Sequence, residues 1–221
     1  ARGAPAIFIF TAVAPAVTLA GDPTFEVDLG SGASLHSLAD LSYAASESTD
    51  AAGAVRVLTF TARDSAGMSV RQTWRVRPND YALDLEVEIR GVPVGLRIGD
   101  YSLTTRSWPL LTESNQQADE RALRASSLVG TNIRREHPGG LAKGAKVFDG
   151  NALWSAVQTR YFLGAVAITQ GPARGITASS AKRSLSPAQI AELGNNARIE
   201  QDVVSSALVV GLSETSPVHR F

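Results

Sequence analysis

The chain has 221 residues, with 21 Lys plus Arg against 21 Asp plus Glu, three histidines and no cysteine. A chain of this length buries roughly 70% of the surface it exposes when unfolded, enough for a full hydrophobic core. The zero formal charge gives no long-range attraction to nucleic acid or an anionic membrane, and the lack of cysteine excludes disulfides, thiolate nucleophiles and thiolate metal sites.

The first candidate element is "AIFIFTAVAPAVTLA", Ala6 to Ala20. It follows Arg2 and has the small, apolar character of a signal-peptide core, but it is too short to span a bilayer and is broken by Pro15. It reads rather as an extended segment of the domain. "FEVDL", Phe25 to Leu29, predicts a strand, as does the β-branched run "VRVLTFTA", Val55 to Ala62.

The next two segments alternate with a period of two. "MSVRQTWRV" sets Met68, Val70, Gln72, Trp74 and Val76 opposite Ser69, Arg71, Thr73 and Arg75. "YALDLEVEI" sets Tyr81, Leu83, Leu85, Val87 and Ile89 opposite Ala82, Asp84, Glu86 and Glu88. Each is a half-buried strand, and "RPND" between them predicts a hairpin with Val76 facing Tyr81, Trp74 facing Leu83, Val70 facing Val87 and Arg71 facing Glu86. The outer acids then form a charge-paired, solvated face, not a metal site. Through "RDSAG" the Val55–Ala62 strand joins the hairpin as a three-stranded meander.

"GLRIGDYSLTT", Gly95 to Thr105, predicts another strand, and "ESNQQADERALRASS", Glu113 to Ser127, a helix by composition. "EHPGGLAKGAK", Glu136 to Lys146, is a loop; it has the glycine and lysine content of a phosphate loop but not its G-K-[ST] ending. "GNALWSAVQTRYFLGAVAI", Gly150 to Ile168, predicts a strand pair bending at Thr159 and Arg160, with Trp154, Tyr161 and Phe162 as core anchors or, alternatively, a sugar-stacking platform. "SPAQIAEL" predicts a short helix with Ser186 as N-cap, Pro187 at the first helical position and Gly194 just past the end. "SSALVVGL", Ser205 to Leu212, is a last strand. The sum is a mostly β single domain over residues 1–221, two antiparallel sheets packed face to face with one or two short helices.

Chemistry leaves few marks. His36, His137 and His219 are far apart in sequence, no pair has metal-ligand spacing, and no G-x-S-x-G elbow occurs. An acid-base site for a sugar would have to pair His36 or His137 with an acid such as Glu113.

The pattern G-x-x-x-W-x-A-x-Q-x-x-Y-F, here Gly150, Trp154, Ala156, Gln158, Tyr161 and Phe162, resembles the late signature of the large periplasmic domain of bacterial YidC-type membrane protein insertases. "VRQTWRVRPNDYALDLEVEI" is similar to that domain's basic-aromatic and acidic strand pair, and "DPTFEVDLGSG" and "SALVVGL" are looser matches, so the resemblance runs from Thr24 to Leu212 with residues 1–23 as an N-terminal extension. The resemblance implies a mutarotase-like β-supersandwich at the periplasmic face of the inner membrane, tethered there in a longer chain whose membrane helices do the insertion. It implies a non-catalytic scaffold without cofactor or metal, docking on the Sec translocon and its SecDF subunits, with a cleft for extended ligands or emerging membrane proteins. The motif residues are then structural. The alternative is a sugar-binding or aldose-epimerase-like sandwich.

Overall fold

The computed structural model describes residues 25–31, 35–50, 53, 55–78, 80–107, 116–193, 199–213, 215 and 217–221. The Ala6–Ala20 segment, the extension over 1–23, Glu113 and Gly194 lie outside them.

Fourteen strands account for most of the described chain. The first seven are β1 (Glu26–Leu29), β2 (His36–Ser37), β3 (Ala44–Thr49), β4 (Arg56–Arg63), β5 (Ser69–Val76), β6 (Leu83–Arg90) and β7 (Asp100–Arg106). A 3-10 turn, Val94–Leu96, separates the last two. Helix α1 (Gln116–Ala122) leads into β8 (Arg124–Val129) and β9 (Asn132–Glu136). After the single turn α2 (Pro138–Leu141) come β10 (Lys146–Gln158), β11 (Leu163–Ala167) and β12 (Ala173–Ser184). Helix α3 (Pro187–Leu193), β13 (Glu200–Gly211) and β14 (Val218–Arg220) complete the order. One antiparallel sheet runs β2-β1-β7-β13-β12-β10-β8-β9 with β11 added on β10; the other runs β14-β6-β5-β4-β3.

The two sheets share one core. Val70, Trp74, Leu85, Val87 and Ile89 of the smaller sheet pack with Val27, Leu29, Tyr101, Leu103, Ile176, Leu208 and Val210 of the larger. Fully burying side chains of this size stabilises by about 1.5–3 kcal/mol each. A second cluster, Leu123, Ala125, Leu141, Val157, Ala178 and Val204, lies where α1 and α2 meet the larger sheet.

The predicted meander is present, β4 pairing with β5 and β5 with β6. Its register differs from the expectation by two residues: Val76 faces Leu83, Trp74 faces Leu85, Val70 faces Ile89 and Arg71 faces Glu88. The connection is longer than "RPND", and Tyr81 is 91% exposed within it instead of joining the core face. A shift of two returns every side chain to its own face, so alternation alone cannot separate the two registers.

The outer face is charge-paired as expected. Arg71 and Arg90 both bond Glu88, Arg77 pairs with Asp84, and Glu86 lies 3.8 Å from Arg75 and 3.1 Å from Arg220. Burial alone would raise the Glu88 carboxyl; the hydrogen bonds from Arg90 and Arg71 outweigh it and hold the group below its ordinary value.

Two other expectations are corrected. Among the described residues of the Glu113–Ser127 segment only Gln116–Ala122 is helix, because Arg124–Val129 pairs along β10 and β9 as strand β8. In Gly95–Thr105 the strand begins at Asp100, since Val94–Leu96 forms the 3-10 turn. The Glu136–Lys146 loop holds the turn α2, with His137 preceding it and Pro138 at its start.

Glycines bring strands together where a side chain would not fit. A Cβ on Gly175 would sit 2.7 Å from the Phe148 carbonyl oxygen, a backbone atom of the paired strand. Gly175→Ala is expected to cost about 1–3 kcal/mol in urea unfolding. Gly139→Ala, with open space around it, is expected to cost nothing, and equal losses in both would show that the contact is not what excludes a side chain.

Candidate functional site

The motif residues are carried by β10 and the hairpin turn after it. Gly150 sits in the irregular part of β10, where the register with β12 shifts between Asp149 and Ala152, and its φ of 125° is one that favours glycine. Ala156 is buried, Trp154 is half-buried between Leu128 of β8 and Ala167 of β11, and Gln158 is exposed at the end of the strand opposite Leu163.

Tyr161 and Phe162 do not fill the space between the sheets. They are 58% and 40% exposed, with Leu163 at 65% beside them. The reason is local: both lie in the turn between β10 and β11, and β11 pairs only with β10 at the edge of its sheet. The core holds the rings of Tyr101 and Trp74 instead, the latter met edge-on by Phe25 at 6.0 Å between centroids.

The turn itself is clamped. The Thr159 N–H donates to the Phe162 carbonyl at 2.8 Å, and the Phe162 N–H donates to Thr159 Oγ1 at 3.1 Å. The Arg160 guanidinium lies 5.2 Å from the Tyr161 ring centre and 3.6 Å from the carboxylate of Asp119, a buried residue of α1. Three sequence-adjacent apolar residues are thus left partly exposed on a braced turn.

The three histidines lie on or beside separate elements. His36 is exposed on β2 and His137 exposed before α2, next to β9; β2 and β9 are the terminal strands of the larger sheet's order. Glu113, their suggested partner, lies outside the described residues. His219 on β14 packs against Tyr101 on the opposite sheet, 5.5 Å between ring centres. Burial pushes the Tyr101 phenol up and the His219 imidazole down, so both are neutral at pH 7. Their Oη and Nδ1 atoms are buried without hydrogen-bond partners. This is core packing across the sandwich. Among the described residues no cluster of His, Cys, Asp and Glu could hold a metal, and no helix is long and apolar enough to cross a membrane.

A second feature was not legible from the sequence. A cleft of about 570 Å³ opens at one end of the sandwich, between the β6–β7 connection and the chain after β13. Arg90, Val92, Val94, Arg97, Ile98 and Leu212 are among its walls. The signal available was the run "VPVGLR", in which Pro93 and Gly95 interrupt an apolar stretch before an arginine. Reading Gly95 onward as strand concealed it.

No family model matches the chain. Over 151 residues, 68% of its length, the chain is 22% identical to the membrane protein insertase YidC of Geotalea daltonii. The matched region is 26% of that protein, so the chain spans about a quarter of the length of the relative.

Proposed function

We propose that this chain is a periplasmic domain of a YidC-type membrane protein insertase and acts there as a non-catalytic scaffold. In this reading it sits outside the inner membrane and docks the insertase on the Sec translocon and its SecDF subunits, close to membrane proteins as they emerge. The distant similarity to YidC of Geotalea daltonii supports the family. The observation that carries docking over catalysis is the turn bearing Tyr161, Phe162 and Leu163, where apolar area is exposed on a braced scaffold. Gly150, Trp154, Ala156 and Gln158 shape and pair the strand that presents this turn, while Tyr161 and Phe162 supply its contact surface.

Site-specific photo-cross-linking in the full-length membrane protein tests this reading. A photoreactive phenylalanine at Tyr161 or Phe162 is expected to give adducts with Sec or SecDF subunits, and one at Ile133, 52% exposed on β9, is expected to give none. The double change Tyr161→Ser, Phe162→Ser is expected to shift stability by less than about 2 kcal/mol, since the residues are 58% and 40% exposed, and to abolish the adducts formed by a probe at Leu163. Adducts of equal yield from all positions, or none from the turn, would remove the docking assignment.

A further inference from the structure

The described walls of the cleft at the end of the sandwich carry two guanidinium groups, those of Arg90 and Arg97. Glu214, between the wall residues Ser213 and Pro217 in sequence, lies outside the described residues. Arg90 is answered by Glu88. Arg97 has no such partner among the described residues. A third guanidinium, that of Arg174, donates to the carbonyl of Gly99, itself a wall residue, at 3.1 Å. The next acid along the chain, Asp100, accepts a hydrogen bond from Ser31 at 3.3 Å.

The backbone presents Arg97 at the mouth. Arg97 caps the 3-10 turn with φ 51° and ψ 34°, its N–H donating to the Val94 carbonyl. A left-handed conformation in a long-chain residue is costly and persists where surrounding structure imposes it, as at ligand clamps. Beside it Val94 is 92% exposed and Leu96 44% exposed. Deeper in, Ile89 is buried, while Val92, Ile98 and Leu212 are half-buried extensions of the core. The cleft therefore has an apolar wall continuous with the sandwich interior and a cationic rim. Its volume of about 570 Å³ falls within the range of small-molecule sites.

We propose that this cleft binds a single-chain anionic amphiphile, with Arg97 holding a phosphate or carboxylate at the rim and Val92, Ile98 and Leu212 receiving the alkyl chain. The exposed guanidinium of Arg97 selects an anion, and the apolar wall selects one that carries a hydrocarbon tail. An arginine pairs with either head group through two parallel hydrogen bonds, which a lone backbone donor cannot do. The inference does not depend on the scaffold reading, because the cleft is separate from the β10–β11 turn.

Titration calorimetry on the chain with octyl phosphate, octanol and inorganic phosphate, all below micelle-forming concentrations, tests the assignment. Octyl phosphate is expected to bind saturably and to raise the melting temperature. Octanol and inorganic phosphate are each expected to bind at least about tenfold more weakly, as each lacks one half of the recognition. Arg97→Gln is expected to weaken octyl phosphate about tenfold or more while leaving octanol unchanged. Val94→Asp, at a site too exposed to disturb folding, is expected to weaken octyl phosphate as well. Equal binding of inorganic phosphate would reduce the site to a bare anion contact, and equal binding of octanol would reduce it to apolar partitioning. Either result, unchanged binding in Arg97→Gln, or no saturable binding of octyl phosphate would overturn the proposal. None of these outcomes bears on whether the turn cross-links to Sec subunits.

Discussion

Trp74→Ala is expected to destabilise the domain by about 3–5 kcal/mol, the range for removing a large buried aromatic side chain. Trp74 is 3% exposed in the shared core, where it packs with residues of both sheets. The indole also supports Phe25, whose ring meets it at 60° and whose φ of 57° places a bulky residue in the left-handed region. Such a conformation costs on the order of 1–3 kcal/mol and is held by its surroundings. Removing Trp74 takes away part of what holds Phe25, which places the loss toward the upper end. Trp74→Phe retains most of the apolar area and deletes an indole N–H that is buried without a partner; it is expected to cost less than about 1.5 kcal/mol. Trp154→Ala, at a half-buried position outside both apolar clusters, is expected to fall well below Trp74→Ala. Urea midpoints at constant m-value measure all three. A loss below about 1 kcal/mol for Trp74→Ala would show that the space between the sheets is not closed around this ring.

Asp28→Asn is expected to stabilise the domain at neutral pH and to leave it unchanged in acid. Burial pushes the Asp28 carboxyl up to about 6 from an ordinary value of 3.8, and the charge of Glu26 adds to the rise. Arg106 and hydrogen bonds from the Leu38 backbone and the Ser37 side chain oppose it without cancelling it. Between about pH 4 and pH 6 the folded state therefore holds a proton that the unfolded chain has released. Stability from this group is fully present below about pH 4, falls as pH rises, and is gone above about pH 6. The shift from 3.8 to about 6 corresponds to about 3 kcal/mol of penalty on the ionised group. Asparagine carries no charge to desolvate and keeps an acceptor for the Leu38 and Ser37 donors. The gain from Asp28→Asn is thus expected to approach about 3 kcal/mol above pH 6 and to vanish below about pH 4. Equal effects at both pH values would mean that the carboxylate reaches water in the folded state.

The central meander was the most legible part of the molecule, because alternation in residues 68–76 and 81–89 reports faces directly. Val70, Trp74, Leu85, Val87 and Ile89 are buried, and the acids that should face arginines do so. The pairing came out two residues away from the expected one, since a period of two is blind to a shift of two. Helix propensity over Glu113–Ser127 lost after Ala122 because β8 gains ladders with both β10 and β9, a non-local interaction that outweighs small per-residue preferences. His36 and His137 lie by opposite terminal strands of one sheet, a separation that alternation within single strands does not report.

The aromatic segment shows the same division. Its strand character and the bend at Thr159 follow from the order of residues, and both are present. Which rings are covered does not follow. Trp74 and Tyr161 are both apolar rings next to arginines in sequence, yet one is 3% and the other 58% exposed. The amino-acid sequence by itself determined local matters: strand against helix, the two faces of the meander, the charge pairing outside and the absence of thiol chemistry. Only the tertiary structure decided which faces the second sheet covers, which turn projects into solvent, and how the β6–β7 connection and the chain after β13 enclose a cleft. The physical reason is that periodicity is a property of one strand, whereas burial is created by whatever distant segment packs against it.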